Sequence, residues 1–475
     1  MTPPPHRSPL PHLVQPHLTP PRLVLADLVV LGLELGLLAV AAGVGALLNA
    51  RGVGLHADAA PLYAGWAPHL GWGTPAALAL AAATVRWGPA LARRAPWRPL
   101  LAAGYAAAVA WTLALALVDG WSTGLARRLT PQAEYLWEVP RITDIPAMLA
   151  GFSGRILDFQ PGSWATHTAG HPPGALLVFV WLDRLGLPGG GPAALLCVLV
   201  GATVAVSVPV TLRSLGDEAA GRAVLPFLVL LPGAVWVGAS ADGIFAGVVA
   251  AGLALLAMPR RWTALPAGLL LGFALYLSYG FVLVGLLAGA VLLLRPAGAV
   301  RTLLPAAAGV LAVAAAFTVA GFDWWVGYRL VTIRYDQGWA ADRPYGYWVW
   351  ANLAALVCSA GPAAVPGLRR AVATLWRTRP ARTTLPGWAT RPGRAEPAGR
   401  AWGGPADWLP VAAAVVVLAA DLSGLSKAEV ERIWLPFAVW LLVAAVRLPQ
   451  RHHRWWLAGQ AATALAINHL LLTVS

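Results

Sequence analysis

Charged residues are scarce in this chain, at 11% of its 475 residues, whereas soluble domains carry about 25%. Cysteine is nearly absent as well. Cys197 and Cys358 both lie in apolar runs, so the chain has no disulfide framework and no cysteine-based metal site. What the chain has instead is apolar sequence, at 58% of residues with a mean hydropathy of +0.66. This composition predicts an integral membrane protein.

Sequence signatures of nucleotide and metallopeptidase chemistry are also missing. The chain has no P-loop, GxGxxG, HExxH, CxxC or GxSxG context. Its net charge is +14, and Lys427 is its one lysine, so nearly all of the positive charge comes from arginine. In a membrane protein, such residues hold helix ends on the cytoplasmic side. We therefore expect membrane lipids as partners and no nucleic acid.

Apolar stretches that approach the roughly 20 residues of a membrane-spanning helix recur along the chain. They predict an all-α polytopic protein of the plasma membrane with about 13 transmembrane helices. The basic turns Arg93–Arg98, Arg260–Arg261 and Arg447–Arg454 are short, and they place the N-terminus in the cytoplasm. The predicted spans are 24–49, 74–92, 99–118, 192–212, 223–240, 243–257, 263–278, 281–295, 302–320, 346–366, 408–424, 434–447 and 455–472.

The segments between the spans have distinct compositions. Residues 1–22 contain eight prolines, which predicts a disordered cytoplasmic tail. A membrane domain follows over 23–366. The stretch 367–407 is rich in Arg, Pro and Gly and predicts a flexible cytoplasmic loop. Residues 408–475 are predicted to form C-terminal transmembrane helices.

Two predicted outer loops, 119–191 and 321–345, are longer than a connection requires, and long loops are commonly functional. Within the first, the apolar stretch 171–187 is only about 16 residues long. It begins with His171-Pro172-Pro173 and contains Asp183 and Arg184. We expect this stretch to lie on the outer membrane surface as an interfacial helix.

Acidic and histidine residues gather in the loop 119–191. Asp144 lies in ITDIP, His167 in THTAG and His171 in GHPPG, while Asp119 marks the end of the third span. Carboxylates activate hydroxyl groups as general bases, and histidines bind phosphate as cations or carry protons. A simpler interpretation is that the loop is polar because it is solvated.

Asp242, in SADG, lies between two apolar spans. An acid at this depth is costly and is a functional candidate by default. The alternative is that it caps the following helix. In the second outer loop, Arg334 and Tyr335 lie where aromatic and basic residues alternate. Aromatic rings cover sugar faces and guanidinium groups pair with phosphate, although an interfacial aromatic belt would show the same composition.

The predicted last outer turn, SGLSKAEVERIWLPF, concentrates charge before a span. Lys427 and Arg432 are suited to hold a lipid phosphate, and Glu431 lies between them. Pairing of opposite charges on a solvated helical turn is the simpler interpretation.

Taken together, ITDIP, GHPPG and SADG resemble the C-type membrane glycosyltransferases, over roughly residues 99–260. This class includes protein O-mannosyltransferases and the aminoarabinose transferases of lipid A. GHPPG and SKAEVERIWLPF also resemble methylthioxylose transferase-like proteins of actinobacteria, which glycosylate envelope lipoglycans such as lipoarabinomannan. The resemblance implies a hexosyl- or pentosyltransferase that moves a sugar from a polyprenyl-phosphate donor to a cell-envelope glycan on the outer face.

The resemblance also implies roles for individual residues. Asp144 or Asp119 would be the general base; the base stays open because the large loop follows the third span here and the first span in the class. His171 would assist catalysis by holding the donor phosphate. Asp242, with Asp144, would hold a divalent cation if one is needed, and no other cofactor is implied. The remaining substrate-binding candidates are His167, Arg334, Tyr335, Lys427, Glu431 and Arg432.

Two other functions fit a polytopic membrane protein. A transporter or flippase for lipid-linked sugars would show paired halves with broken helices at mid-membrane, and the sequence contains no internal repeat. A non-catalytic assembly subunit would depend on its inner arginine-rich loop and not on the outer acids.

Overall fold

The computed structural model describes residues 21–295, 299–378 and 402–473. Within these ranges the regular secondary structure is helical apart from one short two-stranded ribbon, which confirms the all-α prediction. The predicted tail up to residue 20, and residues 379–401 of the predicted inner loop, lie outside the described residues.

The first half of the chain contains three long helices, then short helices, and then a series of apolar helices of medium length. They are α1 (Pro21–Ala50), α2 (Thr74–Arg94), α3 (Trp97–Ala116), α4 (Ile145–Gly151), α5 (Thr166–Gly170), α6 (Pro173–Arg184), α7 (Gly190–Ala202), α8 (Val204–Ser214), α9 (Glu218–Val229), α10 (Ala234–Val237) and α11 (Asp242–Ala257).

The second half continues the bundle. Its helices are α12 (Ala264–Leu275), α13 (Val284–Leu294), α14 (Ala299–Val319), α15 (Trp324–Gln337), α16 (Tyr345–Ala360), α17 (Ala364–Thr378), α18 (Pro405–Leu422), α19 (Val430–Ile433), α20 (Leu435–Leu441) and α21 (His453–Leu470). Short 3-10 or π turns connect them at Ser122–Ala126, Tyr135–Trp137, Val139–Arg141, Ser153–Arg155, Arg261–Thr263, Tyr279–Leu283, Leu442–Arg447 and Gln450–His452.

Five helices of the described ranges are long and apolar enough to cross a membrane, and a sixth span results if the bent pair α16–α17 is counted. They are Arg22–Ala50, Trp97–Ala116, Gly190–Ser214, Arg301–Val319 and Pro405–Leu422. Four shorter apolar helices, of 10–17 residues, accompany them. The chain is thus a helical membrane protein, and the number of about 13 spans stays a prediction.

The predicted span 223–240 is interrupted in the structure. Helix α9 ends at Val229, the four-residue α10 follows, and α11 begins at Asp242. Pro226 and Pro232 lie around the break, and proline lacks the N–H that a continuous helix would need. Because every residue from 224 to 247 is buried, the break places the start of α11 inside the bundle.

Helices α16 and α17 meet at a bend of 99°. Gly361 takes φ +83° there, a conformation that favours glycine. The Gln460 side chain donates to the carbonyl of Ala360 at 3.0 Å and accepts from the N–H of Ala363 at 3.4 Å, so it satisfies backbone groups that the bend leaves without helical partners.

The predicted loop 367–407 differs from the structure at both of its ends. Helix α17 continues to Thr378, and α18 begins at Pro405.

The predicted outer segments meet at one end of the bundle. Residues 64–66 pair antiparallel with 471–473, with Gly65 opposite Leu472. Helix α6 has 12 residues, which is too short for a span, as the sequence predicts. Polar contacts join four segments at this end, namely 51–73, 117–189, 321–345 and 423–434.

Candidate active site

An ionic cluster lies where the predicted outer segments converge, and the buried Arg432 is at its centre. The Arg432 side chain is 7% exposed. Its Nη1 donates to Asp242 Oδ2 at 3.0 Å, and its Nη2 donates to Glu429 Oε2 at 2.5 Å and to His167 Nε2 at 3.1 Å. Glu134 pairs with His167, and Arg343 pairs with Glu429. We call these six residues the Arg432 cluster: Glu134, His167, Asp242, Arg343, Glu429 and Arg432.

The backbone before α19 is strained so that it presents two of these side chains. Ala428 and Glu429 both lie in the left-handed region, with φ of 69° and 62°. For residues other than glycine, such a conformation costs about 1–3 kcal/mol and is concentrated at functional sites. The turn brings the Glu429 carboxylate and the Arg432 guanidinium to the same side of α19.

Glu134 and His167 form a carboxylate–imidazole pair at the edge of the cluster. Glu134 Oε1 lies 2.7 Å from His167 Nδ1. Because the Arg432 guanidinium can only donate, His167 Nε2 must accept, and the ring proton is therefore on Nδ1, where it is donated to Glu134. This is the tautomer of a general base that a carboxylate orients.

His171 lies beside this pair in the neutral form. Its Nδ1 is 2.8 Å from the carbonyl oxygen of His167 and 3.0 Å from the Tyr135 hydroxyl. Burial lowers the pKa of His171 below its usual value, an effect that Asp242 opposes only in part. The ring is thus uncharged at neutral pH and does not supply a cation for a phosphate. Its contacts position the backbone of His167.

Asp242 enters the cluster from the first residue of α11. The Ser240 hydroxyl donates to Asp242 Oδ2 at 3.1 Å and accepts from the Asp242 N–H at 3.3 Å. A carboxylate at a helix N-terminus also interacts favourably with the helix dipole. Asp242 makes no capping bond to α11, contrary to the capping alternative, and it forms an ion pair with Arg432 instead.

Arg343 closes the other side of the cluster. Its Nη1 and Nη2 lie 3.2 and 3.3 Å from Glu429 Oε1. Burial by itself would raise the pKa of Glu429, but Arg432 and Arg343 lower it to about 2. Burial would likewise lower the pKa of Arg432, and Glu429 and Asp242 raise it above its usual value. Glu429 and Arg432 are therefore both charged across the physiological range.

Glu431 faces away from Arg432 and has a different environment. Its Oε1 accepts the backbone N–H of Tyr63 at 2.9 Å, and its buried Oε2 has no partner among the described residues. Burial raises the pKa of Glu431 to about 7, although the Tyr63 hydrogen bond lowers it. This carboxyl therefore titrates near neutral pH.

The raised pKa of Glu431 predicts a loss of stability as the pH rises. Between about pH 4.5 and pH 7, the folded chain keeps a proton on Glu431 that the unfolded chain has released. Stability therefore falls through this window, by at most about 3 kcal/mol. We expect Glu431→Gln to unfold at a higher temperature than the wild type at pH 8 and at the same temperature near pH 4.5, measured by thermal unfolding in detergent.

Glu429→Gln, two residues away, is the matched control with the opposite sign. The pKa of Glu429 is lowered to about 2, so its stabilising effect is present above about pH 4.5 and is lost as the pH falls. We expect this variant to be less stable than the wild type at pH 8. An equal decrease for both variants at pH 8 would contradict the assignment for Glu431.

The two acids that the sequence favours as the base lie outside the cluster. Asp144 is exposed and caps α4 through the N–H of Ala147 at 3.0 Å. The Asp119 side chain is 8% exposed and pairs with His69 at 2.6 Å and with Arg128 at 3.0 Å. Among the described residues, no hydrogen bond or ion pair joins Asp144 or Asp119 to the Arg432 cluster.

Arg334 and Lys427 differ in whether a carboxylate neutralises their charge. Arg334 pairs with Asp158 at 3.0 Å and so attaches the outer loop to α15. The Lys427 ammonium lies 5.5 Å from the ring centre of Tyr335, whose hydroxyl accepts the Lys427 N–H at 3.1 Å. In the described part of the chain, Lys427 has no ion pair, so its charge remains available to a ligand.

Part of the cluster is missing from the sequence-based set of site residues, namely Glu134, Arg343 and Glu429. Glu134 lies in the same loop as His167, and Glu429 lies between Lys427 and Glu431, so proximity in sequence is a signal for both. Arg343 lies in the second predicted outer loop with Arg334 and Tyr335, which is a signal of the same kind. Within the described residues, no group of three or more His, Cys, Asp or Glu side chains is arranged to hold a metal ion.

Comparison with known proteins finds no matching family model and no matching curated protein sequence. Among solved structures, the chain is similar to the crystal structure of ArnT from Cupriavidus metallidurans in the apo state, at 19% identity and a TM-score of 0.43. The match covers 74% of this chain, which spans 59% of that protein's length. A likeness of this extent assigns no function to the chain.

Proposed function

We propose that the protein is a membrane glycosyltransferase of the C type, which transfers a sugar from a polyprenyl phosphate to a cell-envelope glycan on the outer face. The main support is the line of contacts from Glu134 through His167 to Arg432. It places a carboxylate-oriented imidazole 3.1 Å from a guanidinium, inside a water-poor cluster that joins an outer loop to the helix bundle.

Arg432 and Lys427 are the groups suited to the donor phosphate. Arg432 Nε is buried and has no acceptor among the described residues. An unfilled buried donor costs about 1–3 kcal/mol, which an incoming phosphate oxygen would offset. The unpaired Lys427 ammonium would supply a second positive charge. With its charge neutralised in this way, a lipid phosphate is a good leaving group.

His167 is suited to be the general base of the transfer. As the phosphate engages Arg432, Nε2 of His167 becomes free to accept a proton. The acceptor hydroxyl oxygen attacks the anomeric carbon, its proton passes to Nε2, and the bond from that carbon to the phosphate oxygen breaks. Polyprenyl phosphate leaves, and Glu134 stabilises the imidazolium that forms. A single displacement of this kind inverts the anomeric configuration.

Asp144 and Asp119 remain the alternative bases. Asp144 is exposed and forms no ion pair among the described residues, so it is available to accept a proton if a substrate bridges it to the cluster. Asp119 is already paired with His69 and with Arg128, so a proton on it would remove the charge that the Arg128 guanidinium neutralises. For this reason we propose His167 ahead of both acids.

The polyprenyl tail fits an apolar groove between α1 and α16. The groove is a largely open surface depression with a volume of about 510 Å³, and it is lined by Gly32, Leu33, Gly36, Leu37, Val40 and Trp350. Arg343 of the cluster lies 6.0 Å from the ring centre of Trp348, which is two residues before the groove residue Trp350 on α16. The donor sugar that we propose is a pentose, methylthioxylose or mannose, and the proposed acceptor is a lipoglycan.

The function is tested by incubating the purified protein in lipid nanodiscs with synthetic decaprenyl-phosphate pentose and mannose and with delipidated envelope glycan. We expect a covalent glycan product by mass spectrometry, together with a missing sugar in the envelope glycans of a deletion strain. Movement of the lipid-linked sugar across vesicles without a covalent product would favour the transporter. Normal envelope glycans in the deletion strain, with loss of a protein complex, would favour the assembly subunit.

A further inference from the structure

A second group of polar and aromatic side chains lies on the outer surface next to the Arg432 cluster. It consists of His56, Trp339 and Asp342, which we call the Trp339 platform. The rings of His56 and Trp339 stack with centroids 5.3 Å apart and planes 19° apart. His56 Nε2 lies 3.2 Å from Asp342 Oδ2.

The platform is held in place by tight local structure. His56 lies in the left-handed region with φ +50°, a strained conformation for a residue other than glycine. Gly54 lies two residues before His56, and a Cβ atom there would lie 3.2 Å from the Asp342 Cβ atom. The segments that carry His56 and Asp342 therefore approach closely. On the other segment, the Asp342 N–H donates to the carbonyl of Trp339 at 3.2 Å.

The platform remains open to a ligand. Trp339 is 64% exposed, and the Asp342 side chain is 65% exposed. One ring face of Trp339 lies against His56, so the orientation of the indole is set before any ligand arrives. A preoriented indole beside a carboxylate and an imidazole offers an apolar face together with hydrogen-bonding groups.

Arg343 links the platform to the Arg432 cluster. It follows Asp342 directly in the chain, and its guanidinium donates to the carbonyls of Leu55 and His56 at 3.3 and 3.4 Å. The same guanidinium donates to Glu429 at 3.2 Å. A ligand bound on the platform therefore lies one side chain away from the proposed site of sugar transfer.

We propose that the Trp339 platform is a subsite for a sugar residue of the acceptor glycan, an inference that rests on the proposed function. A pyranose or furanose ring has an apolar C–H face, which stacks on an indole, and hydroxyl groups at its edge, which a carboxylate accepts. The exposed Asp342 carboxylate repels a phosphate or an anionic lipid headgroup. The platform therefore suits the neutral acceptor saccharide, and the donor phosphate belongs at Arg432 and Lys427.

Kinetics with the full-length protein in nanodiscs test the subsite. We expect Trp339→Ala and Asp342→Asn each to raise the KM for the acceptor glycan about tenfold, with the KM for the decaprenyl-phosphate sugar and kcat unchanged. Trp325→Ala is the matched control, since Trp325 is a similarly exposed tryptophan, at 67%, at the start of α15. Unchanged acceptor KM in the platform variants, or a fall in kcat alone, would overturn the proposal.

A binding measurement separates failure of the subsite from failure of the transferase. Saturation-transfer NMR with xylotriose, mannotriose and arabinotriose requires no turnover. We expect a signal from at least one of them that Trp339→Ala and Asp342→Asn remove and Trp325→Ala keeps. Such binding without any transfer would refute the proposed function and leave the subsite standing. No signal from any of the three, or displacement of the saccharide by choline at low concentration, would refute the subsite.

Discussion

His167→Ala is expected to lower the rate of sugar transfer about 10²- to 10⁴-fold, which is the usual contribution of a positioned general base. The imidazole is oriented by Glu134 at 2.7 Å, and its other nitrogen faces Arg432 at 3.1 Å. Removal of the ring leaves the acceptor hydroxyl without a proton acceptor. The effect should appear in kcat, measured as glycan product formed under saturating donor, and added imidazole should restore part of the rate.

Variants of the neighbouring acids provide the comparison. Glu134→Gln keeps an acceptor for Nδ1 but removes the negative charge, so we expect a smaller loss of kcat and a shifted pH profile. Asp144→Asn is expected to keep its activity, because Asp144 caps α4 and does not contact the cluster. Full activity in His167→Ala together with loss of activity in Asp144→Asn would instead identify Asp144 as the base, and the same result for Asp119→Asn would identify Asp119.

Arg432→Met should produce the largest change in stability, a loss of about 3–5 kcal/mol in the free energy of unfolding. The substitution removes a guanidinium partner from two carboxylates, the buried Asp242 and the partly buried Glu429. Glu429 retains Arg343, so the main cost comes from Asp242. The change is measurable as a lower midpoint of thermal or urea unfolding for the protein in detergent.

A double variant distinguishes charge pairing from packing. The double variant Asp242→Asn, Arg432→Met should lose less free energy of unfolding than the two single variants lose in total. We expect the difference, which is the coupling energy, to be about 0.5–3 kcal/mol. Arg260→Met, at an exposed arginine on the opposite end of the bundle, is the control and should change stability by less than about 0.5 kcal/mol. If the two single effects simply add, Asp242 and Arg432 do not depend on each other and the cluster is not an ionic unit.

The interruption between α9 and α11 shows why part of the fold escaped prediction. The run 223–240 is apolar enough for a span, and hydropathy by itself treats it as continuous. The helix nonetheless ends at Val229, and the chain crosses the core in short turns before Asp242. Burial by neighbouring helices is what allows this irregular backbone inside the membrane domain. Such shielding depends on contacts between distant segments, which hydropathy does not record.

The composition and spacing of the residues determined that this chain is an all-α membrane protein, because apolar length and scarce charge leave few alternatives. They also marked Asp242, His167 and Arg432 as polar residues in unusual places. Only the tertiary structure decided that these three are in contact, that Glu134 and Glu429 join them, and that Asp144 caps a helix. The physical reason is that hydropathy is a local property of each segment and can be read from that segment's residues. An ion pair forms only when two side chains that are far apart in sequence come within a few ångströms of each other.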